Sequence, residues 1–295
     1  MSAARGGKLS YGPLECPGAE ADAVRHSTEI SYRHACVRDF RERGPGDVKW
    51  KPAVQVGIAL RLRGGEEGDK QQKGESLFHN GTKVQKNAYL RPMLIESCCT
   101  TLEAALSARD RGAGRIELCE DLSVGGVTPS ESLASAVIGA MYPLPVNVLV
   151  RPRGGDFVFD AEEVARMLDS IDMCKRLGAA GVVIGALTPE GDVDMEVMRC
   201  LIARARPLSV TFHRAFDVCR DPYGAFGDIL ALGCDRLLTS GHESSASLGC
   251  PLIAELVRRS AGRIIIMPGC GVRPDNIAEI ASYTRAVEFH GTALP

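Results

Sequence analysis

The stretch VNVLVRPRGGDFVFDAEEVARMLDSIDMCKRLGAAGVVIG, residues 146–185, contains one complete strand–helix–strand unit. Two short runs rich in β-branched residues, VNVLV and GVVIG, flank an amphipathic segment that ends at Gly178. Strands that are joined through a helix pair in parallel, and the crossover between them is right-handed. This stretch therefore predicts an α/β unit of a parallel sheet.

The same unit recurs along the chain about every 25 residues. Eight strands are predicted, and seven amphipathic segments separate them. The strands are LIESC, RIELC, VNVLV, GVVIG, SVTF, RLLTS, RIIIM and AVEFH. Eight such units describe an α/β fold of the TIM (β/α)8 barrel type. The alternative is an open doubly wound sheet, but the GxGxxG typical of that fold does not follow the first strand.

The composition changes near residue 92. Residues 1–92 include RLRGGEEGDKQQKGES, which is charged, rich in glycine and nearly free of apolar residues. This composition predicts a largely disordered N-terminal extension, and residues 93–295 are assigned to the barrel. Arginines near the start allow an organellar transit peptide, although Glu15, Glu20 and Asp22 count against one. A mispredicted gene start is the alternative, since MLIESCC would make a natural beginning.

The bulk composition argues against nucleic-acid and membrane partners. The formal net charge is −2 over 295 residues, and 45% of the residues are hydrophobic. No apolar run approaches the roughly 20 residues that a membrane-spanning helix needs, and the N-terminus lacks the apolar core of a secretory signal. The chain has 11 cysteines without the spacing of a disulfide framework. They predict a cytoplasmic protein with reduced, buried thiols.

Polar side chains collect where the predicted strands end. In a TIM barrel the loops that follow the strands share one rim, and functional residues lie there. VTFHRAFD, residues 210–217, runs from a buried strand into His213, Arg214 and Asp217. The strand beginnings, by contrast, look bland. The candidates at the other strand ends are Glu96, Cys98, Cys99, Glu117, Cys119, Arg151, Arg153, Asp156, Thr239, Ser240, Gly241, His242, Gly269, Gly271, Glu288 and His290.

Five segments resemble the copper homeostasis protein CutC family in the same order: ESCCTTLEAALSARDRGAGRIELCEDLSVGGVTPS, RPRGGDF, VTFHRAFD, LLTSG and VEFH. The resemblance runs from about Met93 to His290. It implies a TIM barrel, a cytoplasmic and in some members also nuclear location, homo-oligomers and a role in binding copper as Cu(I). A catalytic activity is not established for the family, so whether the chain is an enzyme stays open.

The chain departs from the family pattern at two places. Strand eight continues as EFHGTALP, whereas the family has EFHSSAR and a further helix. This difference predicts a barrel that is truncated after strand eight and lacks its final helix. The second departure is Cys99, which adds a thiol beside Cys98.

The first functional hypothesis is a Cu(I) site formed by Cys98 and Cys119, with Cys99 as a further candidate ligand. Cu(I) is a soft ion that prefers thiolate ligands. Cys98 and Cys119 end neighbouring strands, which lie about 4.8 Å apart. They also match the cysteines to which the resemblance attributes copper binding. The alternative is that both thiols are small hydrophobic residues of the core.

The second hypothesis is a barrel enzyme that acts on a small anionic metabolite, with phosphorylated compounds as one class of candidate. Arg151 and Arg153 face the same side of an extended segment, so they could hold a carboxylate or phosphate together. His213 is a candidate general base. Its proposed carboxylate partners are Glu96 and Glu117, with Asp217 as a further catalytic candidate. The remaining ligand-binding candidates are Asp156, Ser240, Gly241, Gly269, Gly271 and His290. The alternative is a network of ion pairs that only stabilises the barrel.

Overall fold

Short β-branched strands alternate with amphipathic helices throughout residues 93–292, which are the residues that the computed structural model describes. The predicted N-terminal extension lies outside this range. So do the residues after Thr292, where a final helix was predicted to be missing. Within the described part of the chain, none of the helices is both long enough and apolar enough to cross a membrane.

Eight parallel strands form one sheet with the order β7-β6-β5-β4-β3-β2-β1-β8. From β1 to β7 each strand pairs with the next one along the chain, and β1 also pairs with β8. This order confirms the TIM barrel and excludes the open doubly wound sheet, in which the strand order reverses at a switch point. The strands are β1 Leu94–Cys99, β2 Arg115–Leu118, β3 Val146–Leu149, β4 Gly181–Ile184, β5 Ser209–Phe212, β6 Arg236–Thr239, β7 Ile265–Pro268 and β8 Glu288–Gly291.

The barrel is nearly closed between β7 and β8, the two strands that form no ladder with each other. Arg236 of β6 and Glu288 of β8 form an ion pair of 2.7 Å across this gap. A Cβ atom at Gly269, just after β7, would lie 3.4 Å from the Cβ atom of His290. These contacts bring the two edges together around a shared interior.

Seven α-helices lie between the strands: α1 Leu102–Asp110, α2 Glu131–Met141, α3 Ala161–Leu177, α4 Met195–Ala205, α5 Pro222–Leu232, α6 Cys250–Ser260 and α7 Ile277–Thr284. Local sequence sets their ends. Asp160 caps α3 through a capping box with Glu163, and Gly178 ends it with a φ of 78°. Two short 3-10 helices, Leu122–Val124 and Arg214–Val218, occupy loops in which the sequence analysis placed no helix.

Along each strand, successive residues face alternately the surrounding helices and the barrel interior. Ile116, Val148 and Phe212 are buried in the main hydrophobic core. The inward residues at the amino ends of the strands are charged instead. Arg115 donates to Glu288 at 2.6 Å and also pairs with Glu96. Buried charges of both signs are tolerated because each has partners.

This polar layer corrects the expectation that strand beginnings are bland. Arg115, Arg236 and Glu288 are the first residues of their strands. Glu288, which was assigned to the end of strand eight, therefore lies at the opposite end of the barrel from the mouth. This polar layer closes the amino end of the barrel and leaves interior space toward the carboxyl ends of the strands.

Candidate functional site

A cavity of about 570 Å3 opens at the carboxyl ends of the strands. Eight of the fifteen residues that the two hypotheses name line it: Cys98, Glu117, Cys119, Arg151, His213, Asp217, Gly271 and His290. The other seven lie outside the lining: Glu96, Cys99, Arg153, Asp156, Ser240, Gly241 and Gly269. Phe157 and Leu149 also line the cavity, and sequence reasoning did not single them out.

Two thiols lie next to each other in the cavity. Cys98 is the last but one residue of β1 and Cys119 follows β2, and their sulfur atoms are 3.6 Å apart. Both side chains are buried and pack with Leu149 and Val183. The hydrogen bond with Cys119 raises the pKa of Cys98, and burial and the nearby Glu117 raise it further. The Cys98 thiol is therefore protonated at neutral pH when no metal is bound.

Cys99 does not join this pair. Successive strand residues point to opposite faces, so Cys99 faces away from the interior and packs in the main core. Its sulfur lies 3.7 Å from the carbonyl oxygen of Ser97. Cys99 therefore does not lie with Cys98 and Cys119, although the sequence analysis named it as a further candidate ligand.

His290 lies between two carboxylates in the same part of the barrel. Its Nδ1 atom is 2.9 Å from Glu96 Oε1, and its Nε2 atom is 3.2 Å from Glu117 Oε2. Burial would lower the pKa of His290, but Glu117 and Glu96 outweigh it and raise the pKa to about 9. His290 is therefore protonated at neutral pH; it donates a hydrogen bond to Glu96 and forms an ion pair with Glu117.

The two carboxylates respond differently to their surroundings. Burial would raise the pKa of Glu96, but the hydrogen bond from His290 and the charge of Arg115 lower it to about 2. Burial raises the pKa of Glu117 above its usual value. Glu96 is also fixed by Asn147, whose Nδ2 atom donates to it at 3.2 Å. Glu96 is thus a firmly held anion behind the cavity wall.

Three possible metal ligands come together at this point. The sulfur of Cys98, a carboxylate oxygen of Glu117 and a ring nitrogen of His290 all lie within 4.8 Å of one another. Sequence reasoning had placed these residues in three separate roles. They face inward on β1, β2 and β8, and β8 joins the other two because it pairs with β1. Applying barrel closure to the inward positions would have revealed the group.

His213 lies on the cavity wall and is neutral. Its Nδ1 atom accepts a hydrogen bond of 3.2 Å from the Ala215 backbone, so the proton of the neutral ring is on Nε2. That Nε2 atom has no hydrogen-bond partner within residues 93–292 and is shielded from solvent. Burial and the charge of Arg151 lower the pKa of His213 to about 3. A group with this pKa is a weak general base near neutral pH.

Arg151 lies beside His213 and holds two loops. Its guanidinium donates to the carbonyl oxygens of Val124, Gly126 and Gly155 at 2.7–3.0 Å. Its Nε atom has no partner among the described residues. The guanidinium carbon lies 4.7 Å from the centre of the Phe157 ring, which in turn lies 4.9 Å from the centre of the His213 ring. Arg151 and His213 therefore present two unpaired donors in one region.

Asp217 is engaged in fixing a neighbouring loop. It accepts hydrogen bonds from the backbone N–H groups of Ser240 and His242 and from the hydroxyl of Thr239. Arg214 also donates to it at 2.8 Å. Its oxygens are occupied, so the structure favours the loop-fixing role for Asp217 over proton transfer.

The other proposed anion-binding residues do not converge. Arg153 pairs with Glu163 at 2.6 Å and with Asp156 at 2.9 Å, away from the cavity lining. Gly241, with a φ of 74°, packs so closely against Gly249 that a Cβ atom would clash with it. Arg151 and Arg153 therefore do not come together in this arrangement to hold one anion.

Known proteins resemble this chain over the barrel. A sequence model described as the CutC family matches residues 93–294. A family protein CutC of Parabacteroides distasonis is 52% identical over 200 residues, which cover 68% of this chain and 82% of that protein. A family protein CutC of Xylella fastidiosa is 50% identical over 199 residues, covering 68% of this chain and 74% of that protein.

A solved structure shows the same likeness. It is the crystal structure of CutC from Streptococcus agalactiae, a protein named provisionally for copper homeostasis. It is 31% identical in sequence and superposes with a TM-score of 0.66, covering 69% of this chain and all of that chain (100%).

Proposed function

The chain belongs to the CutC family, and from this membership we propose that it is a copper homeostasis protein that binds Cu(I) through Cys98 and Cys119. The observation that supports the proposal is the distance of 3.6 Å between the two buried sulfur atoms in the cavity. Thiolates bind one metal ion at about 2.3 Å in zinc sites, so two sulfurs that share an ion lie up to about 4.6 Å apart. The observed spacing suits a shared ion with little rearrangement.

The surroundings of the pair suit a soft monovalent ion. Leu149 and Val183 pack against the sulfurs and limit the access of water. Thiolate is the ligand that Cu(I) prefers, and binding displaces the thiol proton of Cys98. The two cysteines also belong to a small cluster of buried apolar residues. A direct measurement of copper affinity distinguishes a metal site from a purely packing role.

The test is an anaerobic Cu(I) titration of the full chain against a competing chelator. We expect one tightly bound ion in the wild type, and a loss of affinity of about 100-fold or more in Cys98→Ser, Cys119→Ser and the double variant. Cys99→Ser is the matched control, because this thiol is buried one residue away but faces the helices. Unchanged affinity in the double variant would discard the copper site.

A second candidate function is the binding of a small anionic metabolite in the cavity. Two observations favour it, namely the unpartnered Nε2 of His213 and the unpartnered Nε of Arg151. An unpaired buried donor costs about 1–3 kcal/mol, which a bound acceptor would recover. We expect a phosphorylated sugar or acid to raise the melting temperature of the wild type. A shift that persists in Arg151→Met and His213→Asn would place that ligand elsewhere.

Homo-oligomer formation and a cytoplasmic location remain predictions. Light scattering of the purified full chain would measure the first, and microscopy of a tagged chain would measure the second.

A further inference from the structure

We infer that the cavity also contains a site for a divalent ion, Zn²⁺, formed by Cys98, Glu117 and His290 with one coordination position open. This inference goes beyond the proposed function. The two sites share Cys98, but they otherwise use different donors, and neither needs the other to be occupied.

The geometry of the three donors supports the site. Their ligand atoms lie within 4.8 Å of one another, and each of the three residues is at least nine-tenths buried. Donors on one tetrahedral zinc ion, bound at about 2.0–2.3 Å, lie about 3.5 Å apart. A side-chain movement of about 1 Å would therefore close the largest gap between them. Each donor comes from a different strand of a rigid barrel, which favours a defined position for the ion.

The chemistry of the donors selects the class of metal. A thiolate, an imidazole and a carboxylate are the ligands that Zn²⁺ takes in proteins. A carboxylate suits harder ions and adds little for soft Cu(I). Three protein ligands and one open position are also the arrangement of zinc sites that bind an exchangeable water or substrate. The cavity lined by Arg151 and His213 provides room for such a ligand.

Glu96 supplies an independent observation. Histidines that bind a metal usually donate their other ring N–H to a carboxylate, which fixes the orientation of the ring. The Nδ1 atom of His290 already donates to Glu96 at 2.9 Å, and Arg115 and Asn147 hold Glu96 in place. The Nε2 atom of His290 is thereby directed toward Glu117, and it releases its proton to solvent when the ion binds. Glu96 is therefore the positioning residue of the zinc site.

Cys119 separates the two metal sites. Its sulfur lies 3.6 Å from that of Cys98, but it is not part of the group whose donors all lie within 4.8 Å of one another. Cys119 is thus specific to Cu(I), Glu117 and His290 are specific to Zn²⁺, and Cys98 serves both. Substitutions at these three kinds of ligand therefore have different expected effects on the Cu(I) and Zn²⁺ affinities.

The first experiment measures Zn²⁺ and Cu(I) affinities of the full chain under anaerobic, reducing conditions. We expect Glu117→Gln and His290→Asn to weaken Zn²⁺ binding by about 100-fold or more, and Glu96→Gln to weaken it by about 10–100-fold. Their Cu(I) affinity should change by less than about 3-fold. Cys119→Ser should show the reverse pattern, and Cys98→Ser should lose both metals. His242→Asn is the matched control, because His242 does not line the cavity.

The second experiment needs no variant that alters the buried network. X-ray absorption of the zinc-loaded wild type should show one sulfur at about 2.3 Å and nitrogen or oxygen donors at about 2.0–2.1 Å. Two sulfurs without an imidazole would overturn the inference, and so would Zn²⁺ binding no tighter than in Cys98→Ser. If Cu(I) fails to bind while the zinc pattern holds, the proposed copper function fails and this inference stands. If Cu(I) binds as proposed while the zinc pattern fails, the zinc site is excluded and the proposed copper function stands.

Discussion

His213 and His290 lie at the same barrel mouth, but the charges around them differ in sign. His290 lies between Glu96 and Glu117, which raise its pKa to about 9 despite burial. His213 is buried beside Arg151, and both influences lower its pKa to about 3. One imidazole is therefore a cation and the other is neutral at the same pH. From sequence alone each histidine follows or ends an apolar strand, and the sign of the charges around it could not be predicted.

The low pKa of His213 predicts a loss of stability in mild acid. In the unfolded chain a histidine takes up a proton below about pH 6.5, whereas folded His213 stays neutral until about pH 3. Protonation below pH 6.5 therefore favours the unfolded chain. The free energy of unfolding should fall by about 2 kcal/mol between pH 7 and pH 5 from this residue alone. Urea unfolding at both pH values measures the change.

His213→Asn is the control for this prediction. The asparagine side chain is neutral at both pH values and can still accept the hydrogen bond of the Ala215 backbone. Its unfolding free energy should depend less on pH, by about the same 2 kcal/mol. An identical pH dependence in the variant and the wild type would show that His213 does not carry the effect.

Helix α3 and the loop before it show why a regular pattern predicts an element well. The apolar spacing, the Asp160 capping box and Gly178 are all local signals, and the helix occupies the predicted place. The same loop contains Arg153, whose partner Glu163 lies on the first turn of α3. Sequence reasoning could not foresee that partner, and so it assigned Arg153 to an anion. Local periodicity determines a secondary-structure element, whereas the pairing of side chains depends on how separate elements pack against each other.

Removing the cap of α3 should cost a moderate and specific amount of stability. The Asp160 side chain accepts from the backbone of Glu163 at 2.8 Å, and Asp160→Ala removes that acceptor. We expect the free energy of unfolding to fall by about 1 kcal/mol. Asp169→Ala, on the exposed middle of the same helix, should change it much less. Equal losses in both variants would mean that the cap contributes nothing of its own.

At the scale of the whole molecule, closure of the barrel determines what could be predicted about the site. The period-two alternation of a strand distinguishes Cys98, which faces inward, from Cys99, which faces the helices. The grouping of Cys98 with Glu117 and His290 depends on β8 lying beside β1, a contact between segments almost two hundred residues apart. The sequence alone gives no spatial distance between residues at the ends of different strands. The loop role of Asp217 was likewise hidden, since its partners come from another unit.

The interior ion network around Glu288 predicts how strongly closure depends on one residue. Glu288 accepts from Arg115 at 2.6 Å and from Arg236 at 2.7 Å, and so joins β8 to β2 and β6 beside the gap at β7. Glu288→Gln would leave two guanidinium groups short of a counter-charge inside the barrel. Removing one partner of a buried ion pair costs about 3–5 kcal/mol. Thermal and urea unfolding should both show this loss.

Glu255→Gln is the matched control for the network, because Glu255 also accepts from two arginines, Arg258 and Arg259, but does so on the exposed surface of α6. Water screens that pair, so its loss should leave the unfolding free energy almost unchanged. Salt gives a second comparison, since added salt weakens exposed pairs more than buried ones. If Glu288→Gln proved as mild as Glu255→Gln, the pairing of β8 with β1 and hydrophobic packing would be enough to hold β8 against the rest of the barrel. His290 on β8, the proposed zinc ligand, would then keep its position without the ionic layer beneath it.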